Sequence, residues 1–178
     1  TTNKNGNNAF NRFSEFNLDA NNIANMYFGT KEDNTARNLF NFVDSQIKVD
    51  GTVNAIKNNK IGGNLYFLSS SGMVVGNTGV INTGALYVMV PTEDMYKEMA
   101  NKAMPKNVDE QGNVIKGQEG ELHGTLEQEK VDAFLMPLNK EGTIFIKGKV
   151  NAADKIYLNA SGVYVGNYED KDSEGKEK

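Results

Sequence analysis

The stretch from Val49 to Val90, VDGTVNAIKNNKIGGNLYFLSSSGMVVGNTGVINTGALYVMV, limits what this chain can become. It is a series of short apolar runs: Gly51 to Ile56, Gly63 to Leu68, Gly72 to Asn77, Gly79 to Asn82 and Gly84 to Met89. Each is closed by Gly, Asn or Ser. Short apolar runs bounded by turn formers read as strands, and this punctuation leaves no room for a helix. The runs are too close together, and too unbroken, for ordinary hairpins with one wet face. They predict an all-β chain folded as a right-handed parallel β-helix, in which short strands stack on their equivalents in the next coil.

A second copy of the pattern supports this. Gly148-Lys-Val150-Asn151-Ala152 matches Gly51-Thr-Val53-Asn54-Ala55, and Ser161-Gly162-Val163-Tyr164-Val165-Gly166-Asn167 matches Ser71 to Asn77. Self-similarity of this kind is what stacked coils produce. Asn54, Asn64, Asn77 and Asn82 are expected at coil corners, where Asn tolerates left-handed backbone and stacked amides can form ladders.

Between the copies lies the clearest helical segment, Pro91 to Ala103, with Thr92 as N-cap and two acids in the first turn. Met95, Met99 and Ala103 are expected on its packed face. Pro105 ends it. Asp109 to Asn113 reads as a hairpin tip and Gly117 to Gly120 as a turn, with Leu122, Leu126, Val131, Phe134 and Leu135 leading back to the core. The piece 91–138 is therefore expected to be an insertion that leaves the solenoid and returns. The remaining divisions are 1–48 for an N-terminal β cap and first coil, 49–90 and 139–168 for coils, and 169–178 for a disordered tail. The first eight residues, Asn- and Gly-rich, are expected to be loose. Phe10, Phe13 and Phe16, with Leu18, read as short core strands covering the open end, because a bare solenoid end exposes core and unpaired backbone. An equally bare far end implies a fragment of something longer.

Composition closes off several functions. The net charge of −4 gives no basic footprint for nucleic acid. With no Cys, disulfides and thiolate chemistry are excluded. Lyases and hydrolases built on parallel β-helices need clustered carboxylates, often with a metal or a basic partner. Val49 to Val90 holds one acid, Asp50, and two bases, Lys57 and Lys60. The single His123 stands beside Glu121 without a second ligand at metal spacing. No catalytic residue, metal ligand or cofactor site is expected, and the chain does not read as an enzyme. Tyr96, Tyr157, Tyr164 and Tyr168 are the aromatics that would hold a glycan if they proved exposed.

Three stretches resemble one family. They are Asn8-Ala-Phe10-Asn-Arg-Phe13-Ser-Glu-Phe16-Asn-Leu18, Asn22-Ile-Ala-Asn25-Met-Tyr-Phe28, and Val53-Asn-Ala55 through Leu86. Together they resemble the N-terminal secretion (TPS) domain of two-partner-secretion exoproteins, the filamentous-haemagglutinin family. The similarity is nearest to the large leukotoxin-like and adhesin-like exoproteins of fusobacteria and related anaerobes. Ser69-Ser70-Ser71-Gly72 stands where much of that family has Asn-Pro-Asn-Gly, and Asn82-Thr-Gly84-Ala-Leu86 fills its later Asn-x-Gly-x-Leu.

The resemblance implies a secretion address and folding nucleus of a large exported toxin or adhesin. It would be captured by the POTRA domains of a partner outer-membrane β-barrel transporter and secreted through the periplasm to the cell surface or beyond. It implies recognition or nucleation roles for Phe10, Phe13, Phe16, Asn22, Asn25, Ser69, Ser70, Ser71, Gly72, Gly76 and Asn77. The alternative is an adhesin module that binds host cells or glycans, with host contact made through the full-length protein.

Overall fold

A computed structural model describes residues 3–5, 7–104 and 136–166 of the chain. It is a parallel β-helix of three sheets. Coil 1 is β2 (Asn8–Phe13), β3 (Phe16–Leu18) and β4 (Ile23–Tyr27); coil 2 is β5 (Asn38–Val43), β6 (Ile47–Val49) and β7 (Thr52–Lys57). Coil 3 is β9 (Asn64–Leu68), β10 (Met73–Val75) and β11 (Val80–Thr83), following the two-residue β8 (Lys60–Ile61). Coil 4 is β12 (Ala85–Met89), β13 (Thr143–Ile146) and β14 (Lys149–Ala152), and coil 5 holds β15 (Ile156–Asn159) and β16 (Gly162–Val165). The first strands of the coils stack in parallel as sheet A, the second as sheet B, the third as sheet C.

The internal repeat acquires a structural meaning. Gly51 and Gly148 precede strands that both pair with β11, so they occupy one column with Gly79 between them. Gly72 and Gly162 flank Thr143 in the same way. Each sequence match therefore spans two coils. The glycine column at 51, 79 and 148 has a steric cause: a Cβ on Gly79 would enter the Val49 carbonyl, and one on Gly148 would enter that of Gly79.

Alternation along each strand divides the apolar residues into two cores. The inner one fills the coil with Ala9, Leu39, Val43, Ile47, Val53, Leu65, Phe67, Met73, Ile81, Leu86 and Ile144, among others. The second lies outside sheet A. There Phe10, Phe40, Tyr66, Tyr87 and Tyr157 share one register position in successive coils. Their rings follow each other at 5.4, 4.3, 4.2 and 5.9 Å between centroids. Helix α1 (Glu93–Ala103) covers this ladder with Tyr96, Met99, Ala100 and Ala103. Thr92 caps it by accepting the Met95 amide at 3.4 Å.

Several expectations are corrected. The first residues are not all loose, since β1 (Asn3–Asn5) runs antiparallel to β2. That strand is the cap on sheet A, while Phe10, Phe13 and Phe16 belong to the first coil proper. Asn54 and Asn82 sit inside strands rather than at corners. They form a ladder from Asn25 to Asn151, with Nδ2 donating to the preceding Oδ1 at 3.1, 2.9 and 2.8 Å. A hairpin also interrupts the coils: β7 pairs antiparallel with β8 around Asn58 and Asn59, whose φ of 50° and 60° suit a tight reverse turn. Packing of α1 is rotated toward Tyr96, leaving Met95 only partly buried, because the outer core beside the ladder offers that ring a partner in Phe42 at 6.0 Å. Tyr96 is thus buried and no candidate for glycan contact.

The helix end at Pro105, the hairpin and turn expected within 109–120, and the returning Leu122, Leu126, Val131, Phe134 and Leu135 lie outside the described residues. So do His123, Asn167, Tyr168 and the tail 169–178.

Candidate functional site

The eleven residues singled out by resemblance occupy distinct places on the coil. Phe10 is the first ring of the ladder on the outer face of sheet A, fully buried under α1. Phe13 and Phe16 point inward and meet edge to face at 5.4 Å, and Phe16 meets Phe67 of coil 3 at the same distance. Ser69, Ser70, Ser71 and Gly72 turn the chain from sheet A to sheet B, two coils above the turn that joins Phe13 to Phe16. These two stretches therefore share one corner of the solenoid.

That A–B corner is bonded along the solenoid axis. Ser69 Oγ donates to the Ser45 carbonyl at 2.6 Å and accepts the Ser71 amide at 3.1 Å. Asn139 Nδ2 donates to the Ser70 carbonyl at 2.6 Å, and Ser161 Oγ donates to the Asn139 carbonyl at 2.7 Å. Gly72 has φ +84°, and a Cβ there would strike the Thr143 carbonyl. A side chain at this position would meet both left-handed strain and a backbone clash.

Asn22, Gly76 and Asn77 lie at the next corner, between sheets B and C. The Asn22 carbonyl accepts the Thr52 amide at 2.8 Å, and the Gly76 amide donates to Val49 at 2.9 Å. A Cβ on Gly76 would run into the Asp50 carboxylate. Asn25 is on the exposed face of sheet C, at the first rung of the amide ladder. The structure thus brings Phe13, Phe16 and Ser69–Gly72 together and separates them from Asn22, Gly76 and Asn77.

A cleft of about 400 Å³ opens at the first coil, lined by Asn11, Phe13, Asn25, Met26, Tyr27 and the Gly29–Lys31 backbone turn. It joins Phe13 to Asn25, one from each candidate stretch. Beside it, β3 and β4 are the terminal strands of sheets B and C, each pairing on one side only among the described residues. Ile23 in β4 is 66% exposed. Such an edge offers a row of backbone donors and acceptors next to an apolar and amide-lined hollow.

Sequence reasoning missed the polar clamp that fixes α1 above this region. Arg12 and Asp44 form an ion pair at 3.0 Å. Tyr96 Oη donates to Asp44 Oδ1 at 2.8 Å, and an Arg12 guanidinium N–H donates to Asn101 at 3.2 Å. Burial, followed by the Asp44 hydrogen bond and charge, pushes the Tyr96 phenol well above its usual range. The signal available was Arg12 and Asp44 at facing ends of adjacent first-sheet strands, legible only once β2 and β5 are paired.

Among the described residues no cluster of three or more His, Cys, Asp or Glu could hold a metal. The chain matches no protein-family model, no curated protein and no solved structure.

Proposed function

We propose that this chain is the secretion-targeting and folding-nucleation domain of a large exported toxin or adhesin. In this reading POTRA domains of a partner outer-membrane β-barrel transporter capture it in the periplasm, and it acts without catalysis. The observation that carries the reading is the first coil: β1 extends sheet A, while β3 and β4, beside the cleft at Phe13 and Asn25, pair on one side only among the described residues. An extended segment paired along an open edge, with side chains in an adjacent hollow, is the geometry of strand addition. Stacked coils also suit vectorial export, since each coil contacts only its neighbours and folding can propagate from the emerging end. The absence of Cys removes a covalent block to threading.

Binding of the unfolded and the folded chain to purified POTRA domains tests this. Ile23→Lys on the open edge and Phe13→Ala in the cleft should each weaken capture by about tenfold, or about 1.4 kcal/mol. Unchanged affinity in both variants relative to the parent chain, or no binding in either state, would sink the proposal.

The adhesin reading has its own observation. Phe145 and Tyr164 stack at 4.8 Å on the outer face of sheet B, and Tyr164 is 47% exposed. Glycan binding abolished by Tyr164→Ala, with no capture by POTRA domains, would favour it.

A further inference from the structure

Alternation sets Asn25, Asn54, Asn82 and Asn151 on the outer face of sheet C, at one register position in four successive coils. Each Nδ2 donates to the Oδ1 of the coil before it, at 3.1, 2.9 and 2.8 Å, so the bonds all point one way. A side-chain amide carries two N–H donors and two lone pairs. Asn54 and Asn82 each spend one of each on the ladder and keep one of each. Asn25 keeps both donors, and Asn151 keeps both lone pairs.

The rows beside the amides are largely apolar. Ile23, Thr52 and Val80 share the register position before the ladder, and Tyr27 and Ile56 the one after it. Ile23 is 66% exposed, Asn25 and Asn151 are exposed, and the other side chains of these three rows up to Val80 and Asn82 are half-buried. Lys149 is the one charged side chain that alternation places here, in a chain that is 24% charged. The cover that α1 provides belongs to sheet A, and among the described residues no element lies across sheet C.

We infer that this face binds a neutral polysaccharide, an extended chain of β-1,4-linked hexoses laid along the solenoid axis. Three properties select that ligand. The first is hydrogen-bonding sense: donors and acceptors alternate along the row, which suits a hydroxyl, since it does both. A carboxylate only accepts and an ammonium only donates. The second is period. The rungs recur at the strand spacing of about 4.8 Å, and an extended β-1,4 hexose chain advances by nearly that much per sugar. A peptide strand presents backbone groups on one side only every second residue, about 6.6 Å apart, and falls out of step within two rungs. The third is charge. A face with one cation gives no hold on an acidic glycan or a nucleic acid, whose binding needs several. The apolar rows receive the C–H edges of the sugar rings, and the Tyr27 ring offers an apolar surface with a polar tip. The site goes beyond the secretion reading and does not involve Tyr164.

Titration calorimetry of the 178-residue chain with cellohexaose, and with N-acetylated chitohexaose, tests this. One or both should bind at sub-millimolar concentration, with an affinity that added salt leaves unchanged. A heparin-derived oligosaccharide of equal length should bind at least about tenfold more weakly. Asn82→Leu removes one rung and should weaken the neutral ligand at least about tenfold, with the circular dichroism unchanged. Asn151→Leu, at the exposed end of the ladder, should weaken it about threefold, and it decides the matter if the first variant fails to fold. No binding of either neutral oligosaccharide overturns the inference. So does equal binding of the acidic one, an affinity indifferent to the asparagine variants, or a loss caused by Tyr164→Ala instead. POTRA binding does not enter these readouts, so either proposal can fail alone.

Discussion

On its outside the solenoid carries a ladder of rings along sheet A and a ladder of amides along sheet C. Both stack residues at a fixed register position, coil upon coil. The ring ladder, Phe10 to Tyr157, is roofed by α1 and forms a second core. The amide ladder, Asn25 to Asn151, has no such roof among the described residues, and Asn25 and Asn151 at its ends are exposed. Stacking geometry is common to both, so the difference in energy between them comes from what covers each. Rings at this spacing bury apolar area only when something excludes water. Amides satisfy one another and leave their remaining groups to solvent. A third, inner pair sharpens the contrast: Asn11 donates to Asn41 at 3.0 Å, and Asn41 to the Tyr66 carbonyl at 3.0 Å, both inside the coil.

Removing a ring should break the comparison most visibly. Tyr66→Ala deletes the central, fully buried ring and should cost about 3–5 kcal/mol, read as a lower midpoint in urea unfolding. A loss below about 1 kcal/mol would mean the ladder is ornament and α1 merely rests on it.

Next comes the inner amide. Asn41→Ala removes the buried amide that donates to the Tyr66 carbonyl and accepts from Asn11, and should cost about 1–3 kcal/mol. The same change at Asn82, on the outer ladder, should cost about 0.5 kcal/mol, because water replaces the lost partner. Equal losses would show that cover does not set the energy.

The smallest effect concerns the roof itself. The Tyr96 phenol is held above its usual value near 10. In the unfolded chain it ionises near that value, while in the folded chain it stays neutral. Its stabilising contribution is therefore intact below pH 10 and falls as pH rises beyond that. Tyr96→Phe should abolish this alkaline loss while lowering stability at neutral pH by about 1 kcal/mol. Thermal unfolding between pH 8 and about 11 checks it. An unchanged alkaline slope in the variant would discard the clamp.

The architecture was legible because strand punctuation is local: Gly and Asn between short apolar runs mark corners whatever the coil. The ladders were not, and the reason is arithmetic. The ring positions are separated by 30, 26, 21 and 70 residues along the chain, from Phe10 to Phe40, Tyr66, Tyr87 and Tyr157. Corners of different length, and one long excursion, erase any fixed period. The repeat that could be read, Gly51 with Gly148 and Gly72 with Gly162, was visible where steric demand for glycine recurs two coils apart. Asn54 and Asn82 looked like corner residues because turn preference is a property of one residue, whereas a ladder is a property of several chain segments. Of the candidate site, the pairing of Phe16 with Ser69–Gly72 depended on both flanking one corner, which required the strand register. The cleft at Phe13 and Asn25 needed the closed triangle.

The neck of the excursion has a further consequence. Pro91 and Leu138 bridge, the Thr92 amide donates to the Pro137 carbonyl, and the Asn139 amide donates to that of Val90, both of the latter near 3 Å. The two ends of a long segment are thus pinned side by side at a corner that other coils cross in a few residues. Holding the ends together costs entropy that grows only slowly with what lies between them. A change in the length of what lies between these ends therefore carries a small entropic cost at the neck, which leaves the register of the coils above and below to their own strand pairing.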